Sequence, residues 1–152
     1  MKVLAGISPV READFDRILE VWEASVRATH HFVREEDITI FRPMVRAALP
    51  AIIQLVCVRD ENGDAAGFVA VVHRKIEMLF IHPDARGQGI GKRLLNYAVN
   101  TFGAKELDVN EQNEQALGFY WHMGWQVAGR SELDSTGKPY PILHMRLYKE
   151  RV

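Results

Sequence analysis

The stretch from Lys75 to Gly103 constrains the fold more than any other part of the chain. "KIEMLFIHP", Lys75 to Pro83, is rich in β-formers and is stopped by proline. "DARGQGIGKRLL", Asp84 to Leu95, then places glycine at 87, 89 and 91 ahead of apolar residues at helical spacing. Leu94, Leu95, Ala98 and Phe102 share one helical face and Gly103 is a stop signal, so the segment reads as strand, glycine turn, helix. Such a turn lies at the carboxyl end of a strand, where open α/β sheets place ligands. Its glycines let successive backbone N–H groups face one concavity at the positive end of the helix dipole, which suits a diphosphate.

The rest of the chain supplies the partners that this unit needs. "KVLAGI", Lys2 to Ile7, opens as a short strand. Phe15, Ile18, Leu19, Trp22 and Val26 predict an amphipathic helix from about Glu12 to Ala28, and a second helical segment lies near Glu36 to Ala48, ahead of Pro50. "AIIQLVCVRD" and "AAGFVAVVH" flank the turn "ENGD" as an antiparallel hairpin. After the glycine helix come the strand "KELDVN", the short helix "NEQALGFYWHMG", the strand "WQVAGR", the turn-rich connection "SELDSTGKPYP" and the closing strand "ILHMRLYK". The order β α α β β β α β α β β implies an α+β (α/β) fold. It would be a mixed, mostly antiparallel central sheet of about seven strands, flanked by about four helices.

At 152 residues, 47% hydrophobic and 26% charged, residues 1–152 are expected to form one domain with a single sizeable core. A net charge of −1 gives no basic field of the kind that attracts nucleic acid or an anionic membrane, so neither is expected as a partner. The N-terminal stretch turns polar too early for a secretory signal, and no apolar run reaches the roughly 20 residues of a membrane span, which makes the cytoplasm the expected compartment. The single cysteine, Cys57, lies in the apolar run "IIQLVCV" and reads as a small buried hydrophobe.

Two familiar phosphate loops fit poorly. Against Gly-x4-Gly-Lys-Ser/Thr, Arg86 replaces the first glycine and Arg93 the magnesium-binding hydroxyl, so nucleotide-dependent phosphoryl transfer is disfavoured. Against Gly-x-Gly-x-x-Gly, Lys92 stands where the third glycine should be.

What the stretch does match is Arg-x-x-Gly-x-Gly, as Arg86, Gly89 and Gly91, after a strand ending in His82-Pro83. Downstream, Asn113, Ala116 and Tyr120 follow the pattern Asn-x-x-Ala-x-x-x-Tyr, and Gly124-Trp125 comes next. These segments, in this order, resemble the GCN5-related N-acetyltransferase (GNAT) superfamily. "NEQNEQALGFY", "GRSELDSTGKPYPILHM" and "SVRATHHF" look like a narrower group of bacterial YjaB-like acetyltransferases within it. The resemblance implies the GNAT fold, acetyl-coenzyme A as cosubstrate, and acetyl transfer in a ternary complex to a primary amine, either a small molecule or a peptidyl lysine. It also implies that backbone groups of Leu79, Phe80 and Ile81 pair with the pantetheine arm and polarise the thioester. Arg86, Gly87, Gln88, Gly89, Ile90, Gly91 and Lys92 would hold the pyrophosphate, with Asn113, Phe119 and Tyr120 completing the coenzyme A site. Read only as residues, Asn113 serves equally well as a helix N-cap and Tyr120 as a core aromatic.

Transfer of an acyl group from a thioester to an amine needs a neutral amine, a stabilised oxyanion and a proton for the departing thiolate. Tyr120 is the candidate general acid and Glu77 the candidate general base, with His30 and His73 behind it; strand alternation could equally turn Glu77 to solvent. Trp22, His30, His31, His73 and Tyr140 are the candidate acceptor-side residues, and Lys138 could line the same side or a dimer contact. No metal-ligand spacing is present, so no metal is expected. The oligomeric expectation is a monomer or homodimer. The competing reading is a non-catalytic acyl-coenzyme A sensor or interaction module on the same fold.

Overall fold

The computed structural model describes residues 6–148. They fall into two compact units, one running up to Ala104 and one beginning at Lys105. The first holds β1 (Ile7–Pro9), α1 (Phe15–Thr29), α2 (Glu35–Ala48), β2 (Gln54–Arg59), β3 (Ala65–Val72), β4 (Lys75–Ile81) and α3 (Ile90–Asn100). The second holds β5 (Glu106–Asn110), α4 (Glu114–His122), β6 (Trp125–Ser131) and β7 (Ile142–Leu147). Seven strands and four α-helices among the described residues match the α+β class and the order expected from the sequence.

In the first unit β1, β2, β3 and β4 pair antiparallel in that order. Phe15, Ile18, Leu19, Val21, Trp22 and Val26 on α1 form one cluster with Leu55, Cys57, Phe68 and Ala70 from the sheet, and Met78 and Phe80 pack at its margin. The amphipathic spacing of α1 thus has a physical destination. Helix α2 buries only Asp37 and Ile38 and carries Pro43 in its interior, where the missing N–H and the ring weaken a helix. Helix α3 packs on β3 and β4 and buries Ile90, Leu94, Leu95 and Ala98.

Several boundaries move for local reasons. Glu12–Asp14 form a 3-10 turn ahead of α1, tied by the Arg11 N–H donating to Asp14 Oδ2 at 2.8 Å. The strand expected to begin at Ala51 begins at Gln54, because Leu49–Ala51 make a second 3-10 turn around Pro50. Of the opening strand expected over Lys2 to Ile7, residues 2–5 lie outside the described residues, and the strand observed is β1, with Ile7 opposite Val58. Lys149 of the expected closing strand also lies outside them.

Two register details position the candidate site. Met78 pairs with Ala70 while Ile76 pairs with Val71, so Glu77 is the extra residue of a β-bulge in β4. On β3, a Cβ at Gly67 would lie 2.8 Å from Ile81 Cδ1, 2.9 Å from Ile90 Cγ2 and 3.2 Å from the Phe80 carbonyl oxygen. Only glycine lets the end of β4 and the start of α3 close on β3 here.

In the second unit β7 lies between β5 and β6 and is antiparallel to both. Leu107, Val109, Leu143, Met145 and Trp125 are buried. Val127 pairs with Met145 and Gly129 with His144, which leaves Ala128 as the extra residue of a bulge in β6.

Candidate active site

In the first unit β4 delivers the chain to the glycine loop. The His82 N–H donates to the Ala66 carbonyl at 2.8 Å, and its Nδ1 accepts from the Asp84 N–H at 3.1 Å, which fixes where the strand ends and the loop begins. Gly87 and Gly89 have φ of +78° and +74°, a region that suits glycine, and a Cβ at either would meet nothing within 4 Å. Gly89 is the N-cap of α3 and contributes no side-chain acceptor to the first-turn amides of Ile90, Gly91 and Lys92. Arg86, Gly87, Gln88, Gly89 and Lys92 are exposed, whereas Ile90 is buried and anchors the turn. A loop of amides where a Cβ at Gly87 or Gly89 would meet nothing fits a pyrophosphate. On β4, Leu79, Phe80 and Ile81 are half-buried and lie opposite Val69, Phe68 and Gly67.

His30, at the C-cap of α1, is buried beside Phe32 at 5.3 Å and Phe80 at 6.4 Å between ring centroids. Thr29 Oγ1 donates to the Ser25 carbonyl at 2.7 Å and lies 2.7 Å from His30 Nδ1. A hydroxyl has one proton to give, so Nδ1 carries the ring proton and donates to Thr29. Burial, aided by the Arg86 guanidinium and His31, holds the His30 imidazole down at about 4. It is neutral at pH 7 and too weak a base to take a proton from an ammonium.

The other first-unit candidates scatter. Trp22 is buried in the apolar cluster, and His31 is exposed. His73 (φ 50°) and Arg74 (φ 63°) are the two central residues of the β3–β4 hairpin turn. That turn is at the opposite end of β4 from the glycine loop, about 20 Å away at strand rise. Glu77 is exposed at the bulge. Cys57 is fully buried, and burial pushes its thiol up, as its apolar setting in the sequence suggests.

In the second unit Asn113 is the N-cap of α4, its Oδ1 accepting from the Ala116 N–H at 3.2 Å. Tyr120 is buried on the same helix, its ring 6.3 Å from that of Trp125, and burial pushes its phenol well up. Phe119 is half-buried with its ring 5.3 Å from that of Tyr120. Tyr140 is buried after a turn in which Asp134 Oδ1 accepts from the backbone N–H of Thr136 and of Lys138.

One cluster was not signalled by the sequence. His144 Nδ1 is 2.7 Å from Asp108 Oδ1 and His144 Nε2 is 2.7 Å from Ser131 Oγ. The three residues come from three strands, and only their pairing brings them together. Among the described residues no group of acidic, cysteine or histidine side chains could hold a metal, and no helix is long and apolar enough to cross a membrane.

The family described as "Acetyltransferase (GNAT) domain" matches residues 53–127. The peptidyl-lysine N-acetyltransferase YjaB of Escherichia coli K12 is 40% identical over 94% of this chain and 97% of its own length. The protein of the same name from Salmonella typhimurium LT2 is 38% identical over 94% of this chain and 98% of its own. The solution structure of apo YjaB from Escherichia coli superposes with a TM-score of 0.87, at 37% identity, over 97% of this chain and 99% of that one.

Proposed function

The chain belongs to the GNAT acetyltransferases, and on that premise we propose that it moves the acetyl group of acetyl-coenzyme A to the lysine amines of proteins. Peptidyl lysine is the acceptor in the names of the YjaB relatives. Residues 1–152 are read as one acetyltransferase domain, in keeping with relatives that match 94% of the chain. The observation that carries the reading is the open cradle at Gly87 and Gly89, where added side chains would point into empty space at the start of α3. A reducing cytoplasm suits a chain whose one cysteine is a buried thiol.

Acetyl-coenzyme A supplies an activated thioester and a phosphate-rich handle. The amides from Gly87 to Lys92, with Arg86, are assigned to the pyrophosphate, where the helix dipole adds its positive end. The backbone of Leu79, Phe80 and Ile81 is assigned to the pantetheine arm, paired as an added strand, and to the thioester carbonyl, whose developing negative charge an amide N–H stabilises. Asn113 and Phe119 are assigned to the coenzyme beside Tyr120.

Tyr120 is assigned as the general acid to the departing thiolate. Burial pushes its phenol up, so it stays protonated throughout neutral pH. A thiolate leaving beside this buried phenol would be desolvated too and so made more basic, which supports passage of the phenolic proton to the thiolate sulfur. Glu77 is the proton acceptor expected from the sequence but stands exposed at the bulge of β4, and the neutral His30 is assigned to acceptor contact.

The test is turnover of labelled acetyl-coenzyme A with lysine peptides, followed by mass spectrometry, in wild type and Tyr120→Phe. We expect the variant to lose about 10²-fold in kcat and to keep its affinity for coenzyme A in calorimetry. Full turnover at every pH would remove Tyr120 from the mechanism. Tight coenzyme A binding with no product on any amine or peptide would favour a sensor.

A further inference from the structure

The cluster on the second unit's sheet has the geometry of a proton relay. A carboxylate only accepts, so His144 in its neutral form donates Nδ1–H to Asp108 and presents a lone pair at Nε2, to which the Ser131 hydroxyl donates. Strand register builds this arrangement. Asp108 and Gly129 lie directly opposite His144, and Ser131 lies opposite Ile142, two residues along the same face. Without the extra residue Ala128 the pairing of β6 would slip by one, and Ser131 would turn to the other face. The opposite face carries the buried Leu107, Val109, Leu143 and Met145, whereas the His144 side chain is 41% exposed and that of Asp108 32%.

The row also lies at the end of this sheet that carries the candidate ligand residues. Asp108 is two residues, about 7 Å at strand rise, from Asn110, where β5 ends ahead of Asn113 and α4. Tyr140 and Pro141 enter β7 at the same end, where the Glu111 N–H donates to the Pro141 carbonyl at 2.9 Å. The other charges on this face are Glu106 and Arg146, paired with each other at 3.5 Å; Arg130, by register on the other face, pairs with Glu111 at 2.6 Å.

We infer that Ser131, His144 and Asp108 form the relay that takes the proton from the amine acceptor. The inference rests on the acetyltransferase reading, since an ammonium must lose a proton before it attacks a thioester. An N–H bond of the ammonium breaks and its proton passes to Ser131 Oγ as the Ser131 proton passes to His144 Nε2. The amine keeps the electron pair for attack. Asp108 balances the imidazolium, and the exposed ring returns the proton to solvent. The role replaces Glu77 as the proton acceptor, since Glu77 sits exposed at a bulge and makes no hydrogen bond to any described residue that would aim it. Asp108 is the positioning residue.

The experiment compares the pH dependence of kcat/KM for a lysine peptide in wild type, His144→Gln, Asp108→Asn, Ser131→Ala and Glu77→Gln, with coenzyme A affinity measured in parallel. His144→Gln should lower kcat/KM about 10²-fold near pH 7. The deficit should shrink as pH approaches the amine's own pKa of ~10.4, with coenzyme A affinity unchanged. Asp108→Asn should show the same pattern and Ser131→Ala a smaller one. A wild-type profile in His144→Gln, or the deficit in Glu77→Gln alone, overturns the relay. Imidazole ¹⁵N spectra of coenzyme A-loaded wild type with added butylamine give a readout that does not need turnover. A shift of the His144 resonances supports the relay, and unmoved resonances overturn it. Wild type that acetylates no amine refutes the acetyltransferase reading instead, whatever the spectra show.

Discussion

Arg59 shows what one side chain contributes to the frame under the site. Its guanidinium makes paired hydrogen bonds to Asp14, at 2.9 and 2.8 Å, and further ones to Ser8 Oγ and to the carbonyls of Pro9 and Gly63. It thereby fastens β1, the turn before α1 and the β2–β3 hairpin to one another. The Asp14 side chain is 18% exposed, and Arg59 holds its carboxyl down at about 2. A carboxyl depressed on folding adds stability that is fully present above its unfolded value of ~3.9 and is lost as pH falls through its folded value, so the pair matters above pH 4 and fades toward pH 2. The difference corresponds to about 2 kcal/mol. Urea unfolding of wild type and Asp14→Asn should therefore differ by about that amount at pH 6 and converge by pH 2. Equal midpoints at pH 6 would mean that the pair contributes nothing net.

At the scale of elements, β3, β4 and α3 are the frame of the cradle, and Gly67 is where they close. Gly67→Ala would press a methyl against two isoleucine tips and, less yieldingly, against the Phe80 carbonyl. Overpacking of this kind costs about 1–3 kcal/mol, and here it falls on Ile81 and Ile90, which flank the loop. We expect a lowered melting temperature together with weaker coenzyme A binding. Lost stability with unchanged affinity would separate the frame from the cradle. The same elements show what a sequence can disclose. Pro83 and the three glycines bracket two different periodicities, so strand, turn and helix are legible from residue types alone. The bulge at Glu77 is not, because it exists only as a mismatch between two strands; alternation within β4 gives no sign of it. The hairpin turn at His73 and Arg74 hides for another reason, since it reaches positive φ without the glycine or asparagine that usually announces it. In the sequence His144 is no more than a strand residue, as its partners are 13 and 36 positions away and no local pattern links them.

For the whole molecule the decisive property is that an almost neutral chain, net −1, must hold a polyanion. With so little long-range attraction, affinity has to come from fixed local donors, the loop amides and the start of α3, with Arg86 and Lys92 beside them. Such a site discriminates by shape. ATP also carries phosphates, but the chain lacks the first glycine and the hydroxyl of a nucleotide-hydrolysing loop, with Arg86 and Arg93 in their places. A ligand that binds only the folded chain stabilises it by mass action, about 2.7 kcal/mol at a hundred times its Kd. For a chain of this length that corresponds to a rise in melting temperature of roughly 5–10 °C. Coenzyme A and acetyl-coenzyme A should both produce it, and ATP at the same concentration should produce little. Gly89→Ala places a Cβ at φ +74° and strains the N-cap of α3, so the coenzyme-dependent rise should shrink while any fall in the unliganded melting temperature is subtracted as the baseline. Equal protection by ATP, or an undiminished coenzyme A shift in Gly89→Ala, would move the phosphate site away from this loop.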